Sequence, residues 1–540
     1  MENKNTLIAL MLMMAIWFGY SLFFQPHPPV SPDVPVVNSD GADKNIKEND
    51  FVKSVPVQNV TPVLNNSSKI TNSDNSVRKI TVENELYKAV FSSLGGRLIS
   101  LEMKKYRETT DPQSPNIFLV TQSGFPHGTL NTSGSDGVGF SSDSVYSINF
   151  PDDYVHLNPG EDFQLVFTLT RPDGVKIDKI FNFNGSQYPI DFSLSLSNFS
   201  ANDVKGNIHL SLNHSLEEAN KSDRLTFVGP VSLTADGLKT EKIKDIEKEP
   251  KQYSSNVVWS AFENKYFISA VVPLTGSTDK VRIEKSGDSI LNYFDSPELN
   301  IEPGKSISLE YILYFGPRDL DILKNVDHEL AQAIDFGFFS IIAKPLLHIL
   351  KFFYSYIGNY GIAIILLTVI IKLLFWPLTH KSYASMKNMQ KLQPEMQKIR
   401  EKYKNNREKQ NLEMMELYKT HRVNPMGGCL PMLVQIPVFF ALYKVLLGAI
   451  ELRQAPFAFW ITDLSLKDPY YVTPLIMGAT MFIQQKLTPS TMDPKQAKMF
   501  MLMPVVFTFL FLNFPSGLVI YWLVNNLLTI VQQYFIHKKA

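Results

Sequence analysis

Residues 361–378, GIAIILLTVIIKLLFWPL, contain one charged side chain, Lys372, in a run otherwise apolar enough to cross a bilayer. A cation at that depth costs about 2.5–3.5 kcal/mol on translocon insertion scales, and such residues usually serve a function. Thr368 precedes Lys372 by four residues and therefore shares its helical face. The alternative is that the lysine snorkels to the nearer interface. The run predicts a transmembrane helix with a functional charge.

The charge is distributed unevenly along the 540 residues, although the formal net charge is zero. Residues 336–540 contain 22 Lys+Arg and 9 Asp+Glu, whereas residues 1–335 contain 30 and 43. The two halves are therefore predicted to occupy different compartments or to meet different partners. Cys429 is the single cysteine, which excludes an intramolecular disulfide.

Residues 1–24 are predicted to form an uncleaved signal anchor with its N-terminus in the cytoplasm. The apolar stretch at 6–24 is longer than a usual signal core, and residues 21–26, SLFFQP, lack a small-x-small cleavage site. Residues 25–78 are rich in Pro, Asn, Ser and Asp and are predicted to form a flexible linker.

Residues 79–335 have the pattern of a β-domain. Short alternating runs rich in Val, Ile, Phe and Tyr are separated by turn signals such as SLGG at 93–96 and PDG at 172–174. One large antiparallel β-sandwich is therefore predicted to about residue 317, with a helical segment at 318–335.

Residues 336–359 are apolar but contain Lys344, His348 and Lys351 at i, i+4 and i+7, on one helical face. Such a helix is predicted to lie in the membrane interface. A soluble amphipathic helix is the alternative, and the width of the apolar arc argues against it.

Six transmembrane helices are predicted: the N-terminal anchor and the runs at about 361–378, 430–450, 470–486, 499–514 and 516–536. Residues 25–360 would then lie outside the cytoplasm, and both termini would be cytoplasmic. The positive-inside rule supports this topology, because the predicted cytoplasmic residues 379–429 contain 11 Lys+Arg and 5 Asp+Glu.

Residues 380–423 are predicted to form a cytoplasmic helical hairpin that turns at 405–406. Apolar residues, several of them Met, recur every three to four positions with basic residues between them. A pair of helices solvated by charge is the simpler alternative. Basic charge also suits ribosomal RNA or anionic lipid, and Met side chains suit varied apolar partners. The candidate contact residues are Lys387, Lys391, Lys398, Arg400 and Arg407.

Polar residues recur in the later crossings, among them Gln435, Gln484 and Asn525. One polar residue per helix is commonly a packing contact. Their presence in every helix of a small bundle suggests instead a shared hydrated cavity around Lys372. Lys444 is the rival cation, but it lies close enough to a helix end to snorkel.

Signals for an enzyme are weak. GKS at 304–306 resembles the end of a phosphate loop, but its flanks have the pattern of strands. The sequence has no HExxH, Cys-pair or GxSxG motif, and no metal or cofactor is predicted. A small-solute or ion-coupled transporter is the main alternative function, although it predicts membrane-embedded carboxylates or inverted repeats, and the sequence has neither. A periplasmic carbohydrate-active enzyme on a membrane anchor is a third.

Six motifs carry a specific resemblance: NPMGGCLP at 424–431, QIP at 435–437, ELRQAP at 451–456, DPYY at 468–471, FPSG at 514–517 and NNL at 525–527. Together they resemble the motifs of the YidC-type bacterial membrane protein insertases, of the Oxa family. The likeness is dense over about 361–536. It is weaker over 80–335, where the layout resembles that of Gram-negative members with a large periplasmic domain.

The resemblance implies a polytopic helical protein that inserts integral membrane proteins and helps them fold. Its five-helix core, residues 360–540, would enclose a hydrophilic groove open to the cytoplasm and the inner leaflet. Lys372 matches the position of the groove's positive charge, where members with the large domain usually have Arg. The other expected groove residues are Thr368, Gln435, Gln484 and Asn525, with Tyr521 and Trp522 as substrate contacts or, alternatively, interfacial anchors.

The resemblance also implies a location and partners. The chain is expected in the bacterial inner membrane. Its expected partners are nascent membrane proteins, the Sec translocon with its accessory subunits, the ribosome, the signal recognition particle receptor and membrane lipids.

Overall fold

The computed structural model describes residues 76–121, 128–216, 226–254, 256–274, 276–421, 423, 430–488 and 501–539. The predicted N-terminal anchor at 1–24 and nearly all of the predicted linker at 25–78 lie outside the described residues. The same holds for most of the NPMGGCLP motif at 424–431 and of the loop at 487–498.

The N-terminal part of the described chain is built from strands, as its alternating pattern predicts. In β9, for example, every second side chain from Val175 to Phe183 is buried, while the residues between them are half-buried. The strands are β1 (Lys79–Glu83), β2 (Tyr87–Ser92), β3 (Arg97–Arg107), β4 (Asn116–Val120), β5 (Asn131–Gly134), β6 (Ser147–Ile148), β7 (Tyr154–His156), β8 (Asp162–Thr170), β9 (Val175–Asn184), β10 (Ile190–Asn198), β11 (Val204–Gly206), β12 (Ile208–Ser215), β13 (Gly229–Thr234), β14 (Gly237–Thr240), β15 (Lys251–Ser254), β16 (Val257–Glu263), β17 (Phe267–Pro273), β18 (Lys280–Ser286), β19 (Ser289–Asp295), β20 (Leu299–Ile301) and β21 (Ser306–Pro317).

These strands form four sheets. The largest has the order β14-β13-β16-β17-β21-β10-β9-β8-β6. Two five-stranded sheets have the orders β4-β3-β2-β1-β7 and β15-β18-β19-β12-β5, and β11 pairs with β20. The paired strands are antiparallel, as predicted, except that β1 and β7 run parallel.

Both five-stranded sheets pack on the same face of the nine-stranded sheet. Strand register places Phe181 and Ser260 on that face, because it links them through Phe192, Tyr311, Leu313 and Val271. Phe91 of one small sheet lies 4.8 Å from Phe181 between ring centroids. Asn292 Nδ2 of the other donates to Ser260 Oγ at 3.0 Å. The domain is therefore a two-layer β-sandwich.

The C-terminal part is helical. Its helices are α1 (Leu320–Val326), α2 (Ser340–Ile357), α3 (Tyr360–Lys391), α4 (Gln393–Lys402), α5 (Arg407–Thr420), α6 (Leu430–Gly448), α7 (Val472–Leu487), α8 (Met503–Phe511) and α9 (Ser516–Lys539). Short turns of helix occur at Asp136–Val138, Ile243–Ile246, Leu330–Ala333, Gly337–Phe339 and Ile450–Leu452.

The second predicted crossing and the first arm of the predicted hairpin form one continuous helix. The sequence predicts separate elements at 361–378 and 380–423, but α3 runs through Pro377 to Lys391. Proline inside a helix removes one backbone hydrogen bond. At this turn the Thr379 hydroxyl lies 3.0 Å from the carbonyl oxygens of both Phe375 and Trp376, which supports the backbone around the proline.

Three helices among the described residues are long and apolar enough to cross a membrane: Gly337–Ile357, Tyr360–Lys391 and Ser516–Ile536. The regions predicted at 430–450, 470–486 and 499–514 correspond to the shorter helices α6, α7 and α8. The described residues therefore do not confirm the count of six. The segment predicted to lie in the interface is itself long and apolar enough to span.

Candidate functional site: a polar cluster around Lys372

The predicted groove lysine is buried between helices. Lys372 is 7% exposed, and its Nζ donates to Thr529 Oγ1 at 2.6 Å and to Asn525 Oδ1 at 3.4 Å. Asn525 and Thr529 are four residues apart on α9 and therefore lie on one face of that helix. The ammonium group of α3 is thus held by two neutral oxygen acceptors of α9.

A third helix joins the cluster through Gln435. Its Nε2 on α6 donates to Asn525 Oδ1 at 3.1 Å, so a single amide oxygen accepts from both α3 and α6. Of the seven predicted groove residues, hydrogen bonds connect four: Lys372, Gln435, Asn525 and, through Gln435, Tyr521. Thr529 is also one of the recurring polar residues of the sequence, but the sequence does not show that it is the acceptor nearest to Lys372.

Thr368 lies one turn from Lys372 but has a different hydrogen-bond partner. Its side chain is 1% exposed, and its hydroxyl donates to the carbonyl oxygen of Ile364 at 2.6 Å, within the same helix. It contributes a buried polar group beside the cluster. Among the described residues, its hydroxyl is hydrogen-bonded to the backbone of α3 and not to the ammonium group.

Gln484 lies on α7, between two contacts from α7 to α9. Asn526 Nδ2 donates to Thr480 Oγ1 at 3.4 Å, and Gln533 Nε2 donates to Thr488 Oγ1 at 2.9 Å. Because residues 480, 484 and 488 share a helical face, Gln484 faces α9 in the same row. Its Oε1 is buried without a hydrogen-bond partner in the described part of the chain.

The polar face of α9 extends beyond the predicted residues. Gln532 Nε2 donates to Thr379 Oγ1 at 2.7 Å, and both Gln532 and Gln533 are almost fully buried. Positions 525, 529 and 532 contact α3, whereas 526 and 533 contact α7. The sequence reasoning missed the two glutamines. Their spacing of seven from 525 and 526 was the available signal.

Tyr521 and Trp522 are packed among apolar side chains, and the Tyr521 side chain is also hydrogen-bonded to Gln435. Tyr521 is 2% exposed within the core of the helical region. The Trp522 ring lies 4.8 Å from Phe439 and 5.2 Å from Phe511 between centroids. Its Nε1 is buried without a hydrogen-bond partner among the described residues. Their predicted contact with substrate stays a prediction.

The charge of Lys372 is not neutralised within the described structure. None of the ion pairs there involves Lys372, and helices α3, α6, α7, α8 and α9 contain no Asp or Glu. The rival Lys444 is half-buried on α6. In the same described residues, no group of three His, Cys, Asp or Glu side chains could hold a metal ion.

The hairpin has a smaller apolar face than the sequence predicts. Met389 and Met396 are buried with Leu392, and Met414 and Leu417 of α5 pack against them. These methionines form the core between the two arms, so most of the predicted Met-rich docking face is internal. Leu412 and Met415, on the outer side of α5, are 65% and 59% exposed.

The basic residues predicted on the hairpin differ in exposure. Lys391 and Lys398 are exposed, and Lys387 and Arg400 are half-buried. The side chain of Arg407 lies outside the described part of the structure.

The spacing of Lys344, His348 and Lys351 suggests an open polar face. Lys351 instead forms ion pairs with three carboxylates. Its Nζ lies 3.2 Å from Asp319, 2.6 Å from Asp321 and 3.0 Å from Glu451. Burial raises the pKa of the Glu451 carboxyl, and Lys351 partly opposes that rise. The sequence does not predict this ion pairing, because Asp319 and Asp321 come from α1 and Glu451 from the loop after α6.

This ion-pair group lies where the β-domain meets the helices. Asp319 also caps α1, because its side chain accepts from the backbone N–H groups of Asp321 and Ile322. Nearby, Gln454 Nε2 donates to the carbonyl oxygen of Arg107 in β3 at 2.8 Å, and the Arg453 guanidinium donates to the same oxygen. The loop after α6 is therefore attached both to α2 and to the β-domain.

Two family profiles match the chain. Residues 79–349 match the YidC periplasmic domain, and residues 352–540 match the 60Kd inner membrane protein family. The membrane protein insertase YidC of Geotalea uraniireducens is 49% identical over 541 residues, with 99% of each chain covered. That of Geobacter sulfurreducens is 47% identical and covers 99% of this chain and 98% of its own.

Among solved structures, the chain is similar to one described as an active YidC insertase with the first transmembrane domain resolved. That structure is 19% identical, covers 86% of this chain and 93% of its own, and has a TM-score of 0.36. The two profiles and the near-complete relatives show that this chain belongs to the YidC family of bacterial inner-membrane protein insertases.

Proposed function

We propose that the chain inserts its substrates through a hydrophilic groove whose positive charge is Lys372. The groove opens to the cytoplasm and the inner leaflet, and Thr368, Gln435, Gln484 and Asn525 make it polar. The carrying observation is that a 7% exposed ammonium group has only neutral oxygen acceptors within hydrogen-bond distance among the described residues. A buried charge without a counter-ion is costly, and it favours any anionic group that can reach it.

An acidic side chain in the polar tail of a substrate is suited to replace those acceptors. Hydrogen bonds between an ammonium group and a carboxylate are roughly twice as strong as neutral ones. Thr529 and Asn525 hold the ammonium group until the substrate carboxylate arrives, and they recover it when the tail leaves. Tyr521 and Trp522, one turn before Asn525, contact the apolar part of the substrate.

The apolar segment of the substrate supplies the free energy of insertion. A spanning helix has about 20 apolar residues, and each buried CH₂ contributes about 0.8 kcal/mol. This sum greatly exceeds the roughly 2.5–3.5 kcal/mol that one charge costs at the centre of a helix. The chain therefore acts without nucleotide hydrolysis, alone or with the Sec translocon.

In this proposal both termini are cytoplasmic, residues 25–360 are periplasmic, and α2 lies along the membrane interface. The hairpin then faces the cytoplasm. Its exposed Lys391 and Lys398, with Lys387 and Arg400, suit an RNA-rich or acidic partner such as the ribosome or the signal recognition particle receptor.

The direct experiment replaces Lys372 with Arg, Ala or Glu and follows insertion of a single-span substrate that has an acidic polar tail. The Arg variant should insert it, the Ala variant should insert it poorly, and the Glu variant should be the least active. Lys444→Ala is the matched control. Lys444 is a half-buried lysine on α6, nine residues after Gln435, and it is not one of the proposed groove residues. Full insertion by the Glu variant would contradict the proposed electrostatic role of Lys372.

The transporter alternative has no support in the described residues. Coupled transport uses carboxylates within the membrane, and helices α3, α6, α7, α8 and α9 contain none. The enzyme alternative predicts that deleting residues 80–317 abolishes all function, whereas the insertase proposal predicts that core insertion survives.

A further inference from the structure

A polar cleft of about 290 Å³ lies on the periplasmic domain, on the five-stranded sheet β15-β18-β19-β12-β5. Alternate residues of β12 line it, namely His209, Ser211 and Asn213, and Leu291 and Tyr293 of β19 lie opposite them. The residues between them, such as Leu210 and Leu212, are buried in the core of the sandwich. One face of this sheet therefore stabilises the domain, and the other forms the wall of a cleft.

The charged groups of the cleft are already paired with one another. Arg97 donates to Asp143 Oδ1 at 3.0 Å and to Asn131 Oδ1 at 3.1 Å. His209 Nδ1 lies 2.5 Å from Asp295 Oδ1, and Arg282 Nε donates to Asp295 Oδ2 at 2.6 Å. Because Arg97 and Arg282 each have a carboxylate partner, the arginines of this region offer no unpaired positive charge to an anion.

Asp295 also fixes the orientation of the His209 ring. Burial alone would raise the pKa of Asp295, but hydrogen bonds from His209 and Arg282 lower it to about 2. An ionised carboxylate only accepts hydrogen bonds, so His209 Nδ1 must be the donor. In the neutral imidazole this leaves Nε2 as an oriented acceptor on a residue that lines the cleft.

Asn213 adds an unused polar atom. It is 9% exposed, and its Nδ2 donates to the carbonyl oxygen of Gly128 at 2.9 Å. Its Oδ1 is buried without a partner among the described residues. Asn213 therefore lines the cleft with a side chain that one hydrogen bond holds in place.

We propose that this cleft binds a neutral carbohydrate of about one hexose unit. Sugar hydroxyls both donate and accept, which matches a wall of serine hydroxyls and amides with an oriented imidazole. The volume lies at the lower end of the range for small-molecule sites. An extended peptide would be expected to pair with a free sheet edge, whereas this cleft lies on a sheet face.

The test uses the full chain in nanodiscs and saturation-transfer NMR, with glucose, galactose and N-acetylglucosamine as probes. Inorganic phosphate and the tripeptide Gly-Ser-Gly are the comparators. At least one hexose should receive saturation, and neither comparator should displace it. His209→Gln and Ser211→Ala should each weaken hexose binding about tenfold, the effect of losing one hydrogen bond of about 1.4 kcal/mol.

His156→Gln is the matched control, because His156 is an exposed histidine at the end of β7, away from the lining of the cleft. It should leave hexose binding unchanged. The proposal is overturned if no hexose binds the folded chain, if phosphate or the tripeptide competes with the hexose, or if neither cleft variant weakens binding. The use of two cleft variants allows for misfolding of either one.

Discussion

Lys372 Nζ and Thr529 Oγ1 lie 2.6 Å apart and join α3 to α9 through two residues that are 157 positions apart in the sequence. The contact is the shortest of the hydrogen bonds described for the ammonium group. A hydrogen bond to a charged group contributes about 1.5–3 kcal/mol to stability. Thr529 is therefore the principal neutral partner of the proposed groove charge.

Thr529→Val should lower the free energy of unfolding by about 1.5–3 kcal/mol, because it removes that acceptor at nearly constant volume. Thermal unfolding of the detergent-purified chain measures the change. Thr368→Val is the control, since the Thr368 hydroxyl bonds only to the backbone of its own helix in the described structure and should contribute less. Equal decreases in the free energy of unfolding for the two variants would show that the Lys372–Thr529 contact contributes no extra stability.

Lys351→Ala should destabilise the junction of α1, α2 and the loop after α6 by about 3 kcal/mol. The substitution leaves Asp319, Asp321 and the buried Glu451 close together without their shared cation. Hydrogen exchange at residues 449–456 should rise with the loss of stability. Lys344→Ala on the same helix is the control, because Lys344 is exposed and should change stability by no more than about 0.5 kcal/mol. Unchanged exchange in the Lys351 variant would contradict the role of this group.

Glu263 should make stability depend on pH. Its carboxyl is 5% exposed, and burial raises its pKa from 4.5 to about 7, although Arg318 at 3.2 Å opposes the rise and Asp335 adds to it. Between these two values the folded state holds a proton that the unfolded state has lost. This contribution to stability is therefore complete below about pH 4.5 and is lost as the pH rises to about 7.

Glu263→Gln should remove that dependence and flatten the curve of unfolding free energy between pH 4.5 and 7, by up to about 3 kcal/mol. Chemical denaturation across this range gives the curve. Glu302→Gln alters an exposed carboxyl and should leave the slope as it is. A Glu263→Gln curve parallel to that of the unchanged chain would refute the raised pKa.

Met396→Ala should loosen the hairpin, whereas Met415→Ala should not. Met396 is 3% exposed between α4 and α5, and truncating a buried Met costs about 2–5 kcal/mol. Met415 is 59% exposed, so its truncation removes little buried surface. Limited proteolysis of the region at 392–420 should be faster in the Met396 variant alone. Similar cleavage of both variants would mean that these helices do not share the core described above.

The sequence allowed much of the helical site to be predicted, because a lysine in an apolar run is conspicuous by its cost. Asn525 and Gln435 could be selected for the same reason. The exact contacts could not, since they depend on how α3, α6 and α9 pack. Gln532 and Gln533 lie near the polar end of α9, where glutamines usually face water, so only their spacing of seven from Asn525 and Asn526 pointed to burial against α3 and α7.

The β-domain was predictable in kind but not in arrangement. Alternating burial in strands such as β9 follows from local sequence. The parallel pairing of β1 with β7 joins strands about 70 residues apart and has no local signature. Pro377 misled the prediction in the opposite direction: proline usually ends a helix, but here Thr379 and neighbouring helices stabilise the turn that contains it.

The continuity of α3 makes it a lever. Lys372 and Lys391 belong to the same rod, about 28 Å apart at the rise of an α-helix. A force applied where α4 and α5 pack against the end of that rod therefore tilts the segment that carries the ammonium group. Pro377 lies between the two lysines and has no backbone N–H, so the helix lacks one hydrogen bond there. Because both lie on one helix, we expect a partner that docks at the hairpin end to change the position of the Lys372 charge as well.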